Sequence, residues 1–189
     1  MNIDKNKTYI VDGYRYINYI NLTLEQKMAI LEARNMPIVR EKMYSSAPLM
    51  QDDHLAFIEG LSTRMDRFYW YVEKDGIFVG AFNLTNVNIE NATCESGSFF
   101  TDVSLRGMRT NMEFSYNTIV FMFEHIGIKK VVGFTKESNT FNLQLNKYLG
   151  FKPTNTFEGY VEQVYTYDMY TKLDKTEITF NNFIKSLRK

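Results

Sequence analysis

Most of the features that would place this chain in a specialised class are missing or scarce. It has one cysteine, Cys94, which excludes an internal disulfide framework and suits a reducing compartment. Its two histidines, His54 and His125, stand far apart, so no metal-ligand spacing is present and no metal is expected. Neither sign of charge prevails: 22 Lys and Arg balance 22 Asp and Glu. That balance argues against a nucleic-acid binder whose affinity comes from neutralising phosphates. No apolar run approaches the ~20 residues needed to span a bilayer. The opening MNIDKNKTYIVDG lacks the basic start and apolar stretch of a signal peptide. A cytoplasmic protein with neither nucleic-acid nor membrane partners is expected.

Three prolines, ten glycines and no linker or repeat leave the 189 residues as one main unit. Hydrophobic residues make up 44% and aromatics 15%, ample for a sizeable core. Alternation over GYRYINYI (13–20) predicts a strand. Thr23, with Gln26 three places on, predicts a capped helix carrying Leu24, Met28 and Leu31 on one face and stopped at Asn35-Met36-Pro37. Asp52 or Asp53 is expected to open a second helix with Leu55, Ile58 and Leu61 on its buried stripe. FYWYVEK and IFVGAFNLTNV, joined at Asp75-Gly76, predict a hairpin.

Residues 92–103 predict a further strand, interrupted by Gly97. Met112, Tyr116, Ile119, Val120 and Phe123 recur at helical spacing, so a helix is expected from about residue 109 to Gly127. KVVGFT (130–135) suits a buried strand. A helix capped by Ser138 or Asn139 and ended by Gly150 should follow, then strands at 151–156 and 159–171. An amphipathic helix over 177–188 should close the chain. The expected fold is α/β (α+β): a mixed central β-sheet of about seven strands with helices on both faces, plus a C-terminal helix. The main domain spans 1–175 and a helical extension 176–189.

The order ending in ESNTFNLQLNKYLGF resembles the Gcn5-related N-acetyltransferase (GNAT) superfamily, which transfers acetyl from acetyl-CoA to amines. The likeness runs over roughly residues 14–171. Asn139, the following helix and Gly150-Phe151 sit where that superfamily places its penultimate motif. The N-terminal half resembles the branch that acetylates nucleotide-linked amino sugars in pseudaminic acid biosynthesis. The matching residues are Arg34-Asn35-Met36-Pro37, Met43-Tyr44, and Asp53-His54-Leu55-Ala56-Phe57, with TCESGSF resembling a strand of some members. An Arg-Asn-x-Pro step also opens the ribosomal-protein N-terminal acetyltransferases.

The resemblance implies acetyl-CoA as co-substrate, held where two parallel strands splay apart, at Phe100, Thr101, Asp102 and Val103 on the first and 132–135 on the second. It implies that the turn Arg106-Gly107-Met108-Arg109-Thr110-Asn111 receives the pyrophosphate at a helix N-terminus. Asn139 and Asn146 complete the cofactor set. Two departures stand out. Arg109 and Asn111 occupy the places of the motif's two later glycines, where glycine would let backbone approach phosphate. Asn146 stands seven residues after Asn139, where many members have a tyrosine that protonates the departing thiolate. Tyr148 lies about 200° around the helix from Asn146 and cannot replace it directly.

Glu95, on the strand leading to the splay, is the expected general base, or else a solvated strand residue turned outward. Arg34, Met43, Tyr44 and His54 are the expected acceptor contacts, Met43 and Tyr44 as an adaptable wall. His54 has an alternative as a helix-start residue bonded to a backbone carbonyl. Cys94, with no partner, supports neither nucleophilic catalysis nor a metal site. The leading expectation is therefore an acetyl-CoA-dependent N-acetyltransferase acting on a small-molecule amine, foremost a nucleotide-linked amino sugar. A protein N-terminus and a catalytically silent scaffold are the alternatives. Sheet edges in this fold often pair across a two-fold axis, which allows a homodimer.

Overall fold

The computed structural model describes residues 1–102 and 107–188. Eight strands form one mixed sheet in the order β1-β2-β3-β4-β5-β6-β8-β7. They are β1 (Tyr9–Val11), β2 (Tyr14–Asn18), β3 (Phe68–Lys74), β4 (Ile77–Asn88), β5 (Thr93–Phe100), β6 (Lys130–Lys136), β7 (Lys152–Phe157) and β8 (Tyr160–Thr166). The helices are α1 (Leu24–Asn35), α2 (Pro37–Arg40), α3 (Gln51–Gly60), α4 (Met108–Val120), α5 (Thr140–Tyr148), α6 (Tyr167–Thr171) and α7 (Phe180–Ser186).

Three hairpins share one turn chemistry. Asp12-Gly13, Asp75-Gly76 and Glu158-Gly159 each place two successive residues at positive φ, the conformation that a two-residue hairpin with native strand twist requires. The first adds the three-residue β1, which is why the sheet has eight strands rather than the expected seven. The strand expected over 159–171 ends at Thr166, whose hydroxyl accepts from the Met169 backbone N–H and starts α6 instead. The C-terminal helix is shorter than expected, with a 3-10 turn at Lys175–Glu177 ahead of α7.

The Thr23–Gln26 capping box is present in both directions. Leu24, however, is exposed, and the buried residues of α1 are Ile30, Leu31 and Ala33 in its second half. Neither Asp52 nor Asp53 caps α3. The cap position is Met50, and the two carboxylates occupy the first turn, where negative charge suits the helix dipole. Helix α4 runs into a π-helical turn, Phe121–Ile126, ended by left-handed Gly127.

Strand alternation divides the core between the two sheet faces. Trp70, Val72, Phe82, Leu84, Cys94 and Val131 pack with α4, its π-turn and the buried Phe183 of α7. Tyr71 and Ala81 pack on the other face with Ile30 of α1 and Ile58 of α3. Helices therefore cover both faces.

Candidate active site

Strands β5 and β6 are parallel neighbours that separate partway along. Their ladder runs from Thr93↔Lys130 to Ser96↔Gly133 and stops there, although β5 continues to Phe100 and β6 to Lys136. Beyond Ser96 the outer partners persist: β5 stays paired to β4 up to Phe100↔Gly80, and β6 to β8 up to Lys136↔Tyr160. The two sheet halves thus hold their edges apart. The gap begins at Gly97 and Phe134, earlier on β5 than the sequence suggested.

Two cavities meet at this gap. The larger, of about 630 Å³, is walled by α1, α3 and the 42–49 segment, by β4, β5 and β6, and by α4 and α5. The smaller, of about 300 Å³, lies between β5, α2 and the first turns of α4 and α5. Lys42, Met43, Ser98, Phe99, Asn139 and Asn142 line both.

Glu95 lines the larger cavity one residue before the ladder ends. Cys94 belongs to the core under α4 while Phe99 packs on the α1–α3 side, so alternation puts Glu95, Gly97 and Phe99 on the α1–α3 face. The Glu95 carboxylate accepts a hydrogen bond from Asn86 Nδ2 at 2.8 Å. Asn83, also on the cavity wall, lies over Gly97: a Cβ there would come within 3.0 Å of Asn83 Oδ1.

Asn146 reaches the gap from the opposite face, on α5. Its Nδ2 donates to Gln163 Oε1 at 2.9 Å, and Thr135 Oγ1 donates to the same oxygen at 3.3 Å. Gln163 and Thr135 are buried. Tyr148 points elsewhere, its hydroxyl bonded to the backbone at Glu177 and Thr179. Asn139 holds the cap position of α5 but makes no side-chain cap bond, and it lines both cavities.

At the first turn of α4 the expected residues separate. Met108 and Asn111 line the smaller cavity with Phe100. Asn111 is buried and its Nδ2 donates to the Asp102 carbonyl at 2.8 Å. Gly107 is the cap residue, and a Cβ there would lie 2.4 Å from the Asp102 carbonyl oxygen. Arg109 instead sits over the Phe180 ring, 5.0 Å from its centroid, with Glu113 4.0 Å away. Thr101 continues the sheet edge, donating from its hydroxyl to Phe78 and from its backbone N–H to Val79. Thr110 is not among the residues found lining either cavity. Val103 and Arg106 lie outside the described residues.

Among the acceptor candidates, Arg34, Met43, Tyr44 and His54 all line the larger cavity. His54 is buried, and its Nε2 donates to the Lys27 carbonyl at 2.9 Å, tying α3 to α1. A carbonyl can only accept, so the neutral ring carries its proton on Nε2. Burial holds its pKa below the usual histidine value. Arg34 Nη2 donates to the Ser45 carbonyl at 2.9 Å. The Tyr44 ring lies 5.7 Å from that of Tyr160. Cys94 is buried, which pushes its thiol pKa up to about 12 and leaves it unreactive. Thr135 lies in the 132–135 segment expected from the sequence and lines the larger cavity; sequence reasoning missed Asn83, Ser98, Asn142 and the β7–β8 hairpin tip at Glu158 and Tyr160, which the fold brings to the site.

A mixed sheet with two parallel strands splayed over a cavity, a helix starting beside the splay and another starting beyond it, is the fold of the Gcn5-related N-acetyltransferases. No family model matches the chain. Among solved structures, the N-acetyltransferase PseH of Campylobacter jejuni aligns over 82% of this chain and 99% of its own, with a TM-score of 0.64 and 17% identity. The same enzyme has been solved in complex with acetyl coenzyme A. The spermidine N-acetyltransferase of Vibrio cholerae, in complex with CoA and spermine, aligns over 84% of this chain and 98% of its own, with a TM-score of 0.69 and 12% identity. An aminoglycoside acetyltransferase in complex with coenzyme A aligns over 85% and 97%, with a TM-score of 0.68 and 11% identity. At these identities the likeness is one of fold.

Among the described residues no helix is long and apolar enough to cross a membrane, and no three His, Cys, Asp or Glu side chains gather as a metal site.

Proposed function

We propose that this protein is an acetyl-CoA-dependent N-acetyltransferase acting on a small amine, and that its acceptor is the amino group of a nucleotide-linked amino sugar. The observation that carries the first part is the end of the β5–β6 ladder at Ser96↔Gly133, with a cavity opening on each side of the gap.

The residues present fit acetyl-CoA. The freed β5 edge, residues 97–100, offers backbone groups to an extended arm as a neighbouring strand would. Phe99, Phe100, Met108 and Phe141 give the smaller cavity apolar walls, and Asn111, Asn139 and Asn142 place amides among them. The start of α4 lies at its end, where backbone N–H groups favour anions. When bound, acetyl-CoA supplies an acetyl group activated as a thioester.

The protein's own groups supply the rest. Backbone N–H groups on the β5 edge are the donors available to polarise a carbonyl seated in the gap, a role independent of side chains. Glu95, on the α1–α3 face, takes the proton that the acceptor nitrogen sheds. Asn146, on the opposite face, keeps one amide N–H on Gln163 and offers the other, which makes only a long 3.5 Å contact with Thr135 Oγ1, to the departing sulfur. It stabilises negative charge by hydrogen bonding and transfers no proton. A thiolate leaves tolerably at neutral pH, so the missing acid costs at most the ~10²–10⁴-fold that general acid catalysis supplies.

The finer acceptor assignment rests on charge and shape. Arg34, Lys42 and Lys136 outnumber Glu95 and Glu158 on the larger cavity's wall, and neutral His54 adds nothing. A cation-biased wall disfavours polyamines and aminoglycosides and favours an acceptor carrying phosphate. Tyr19, Tyr44, Tyr69 and Tyr160 supply faces for a sugar or base.

The test is release of free thiol from acetyl-CoA with a panel of amines: nucleotide-linked amino sugars, spermidine, an aminoglycoside and an N-terminal peptide. Turnover confined to the nucleotide sugars supports the full reading. Preference for spermidine or peptide overturns the acceptor, and no turnover with any amine overturns the enzyme in favour of a scaffold.

A further inference from the structure

Strand β4 carries an irregularity immediately after Thr85, the residue that pairs with the candidate base. Thr85 pairs with Glu95 and Asn88 with Thr93, so Asn86 and Val87 together face the single residue Cys94. This is a β-bulge, a device that re-aims side chains beside functional sites. It is anchored from outside, the Val87 N–H donating to the Asp66 carbonyl at 3.0 Å. Within it Asn86 adopts φ +48, a left-handed conformation that side chains other than Asn and Asp rarely accept. From that position Asn86 Nδ2 donates to Glu95 Oε1 at 2.8 Å.

We infer that Asn86 is a positioning residue: the bulge exists at this register to fix the Glu95 carboxylate, on Oε1, with its other oxygen available to the acceptor. Among the described residues Asn86 is the one side chain that donates to this carboxylate. Without it, a glutamate on a half-exposed strand surface is free to sample several staggered rotamers. With it, the carboxylate is held at the wall of the larger cavity, one residue from where the gap begins. The inference rests on the acetyltransferase reading and on Glu95 as its base.

The backbone conformation makes the test clean, because glycine adopts positive φ at no steric cost. Asn86→Gly therefore keeps the bulge and removes only the amide. We expect its Tm to match the parent and its KM for acetyl-CoA to stay unchanged. Its kcat should fall about tenfold, a fraction of the ~10²–10⁴ that a general base supplies. The same substitution made on top of Glu95→Gln should have no further effect on kcat, because two residues acting as a unit are not additive. A merely structural bulge residue would lower kcat equally in both backgrounds, and that result overturns the inference. So does an Asn86→Gly variant with parental kcat while Glu95→Gln loses 100-fold or more. If Glu95→Gln keeps parental turnover, the base assignment fails and Asn86 has nothing to position, although the acetyltransferase reading survives. If the parent turns over no amine, the function itself is wrong, and the inference falls with it.

Discussion

Asn146 and Gln163 meet at 2.9 Å under the splayed strands, the amide of one donating to the side-chain oxygen of the other. This bond fixes the group that faces the gap from α5. Asn146→Ala leaves the buried Gln163 oxygen with Thr135 as its remaining donor. The expected loss is about 1–2 kcal/mol, or roughly 2–8 °C in Tm for a chain of this size. Because Asn146 moves no proton, kcat should fall by less than about tenfold, well below the ~10²–10⁴ that loss of a true general acid brings. Thermal melts and thiol-release kinetics on the one variant check both numbers.

Gly80 sits against the back of the same splay. A Cβ there would stand 2.3 Å from the Phe99 carbonyl oxygen and 3.0 Å from the Phe114 ring. Phe99 lies on the freed edge of β5, so Gly80→Ala must push that edge or bend β4. A loss of about 1–3 kcal/mol is expected from overpacking. It should be accompanied by weaker acetyl-CoA binding, measured by calorimetry. A Gly80→Ala variant with unchanged affinity would uncouple the β5 edge from the cofactor.

His54 makes stability pH-dependent with a defined sign. Burial lowers its folded pKa below the ~6.5 of an unfolded histidine, so below that value the unfolded chain binds more protons. Its stabilising contribution is present in full above about pH 6.5 and is lost as pH falls toward the lowered folded value. His54→Gln keeps an N–H for the Lys27 carbonyl and cannot titrate. Melts from pH 7.5 to 5.5 should therefore fall less steeply for His54→Gln than for the parent.

Tyr148 anchors the C-terminal segment, exchanging hydrogen bonds with the backbone of Glu177 and Thr179. Tyr148→Phe keeps the ring contact with Phe183 and deletes those bonds. We expect faster amide exchange across 177–188 and a loss of about 1 kcal/mol, with kcat unaltered.

Local chemistry made much of the fold legible in the sequence. The Thr23–Gln26 box, the Asp75-Gly76 turn and the Gly127 and Gly150 helix ends are each decided within a few residues. Strand β1 was not legible because three residues are too few for alternation to register, even though Asp12-Gly13 carries the same turn signal as Asp75-Gly76. The tail of β8 reads as strand by composition, but Thr166 caps a helix there. The site divides in the same way. Glu95, Asn139 and Asn146 are indicated by the resemblance to acetyltransferase motifs and do line the cavity. Asn83 lies over Gly97, its partner across the ladder, where a Cβ would crowd its amide. Arg109 stands where the motif has a glycine, and Phe180, seventy-one residues away in sequence, holds it by cation–π contact. No local pattern encodes that pairing.

The central claim is that the gap between β5 and β6 receives acetyl-CoA, and thermal-shift titration with acetyl-CoA, with CoA and ATP alongside, tests it most directly. At ~100 times its dissociation constant a ligand stabilises by about 2.7 kcal/mol, roughly 5–10 °C for a chain of this size. A rise of that order with acetyl-CoA and CoA, and none with ATP, is the predicted result. No rise at millimolar acetyl-CoA would contradict the claim and leave an acetyltransferase fold without its co-substrate.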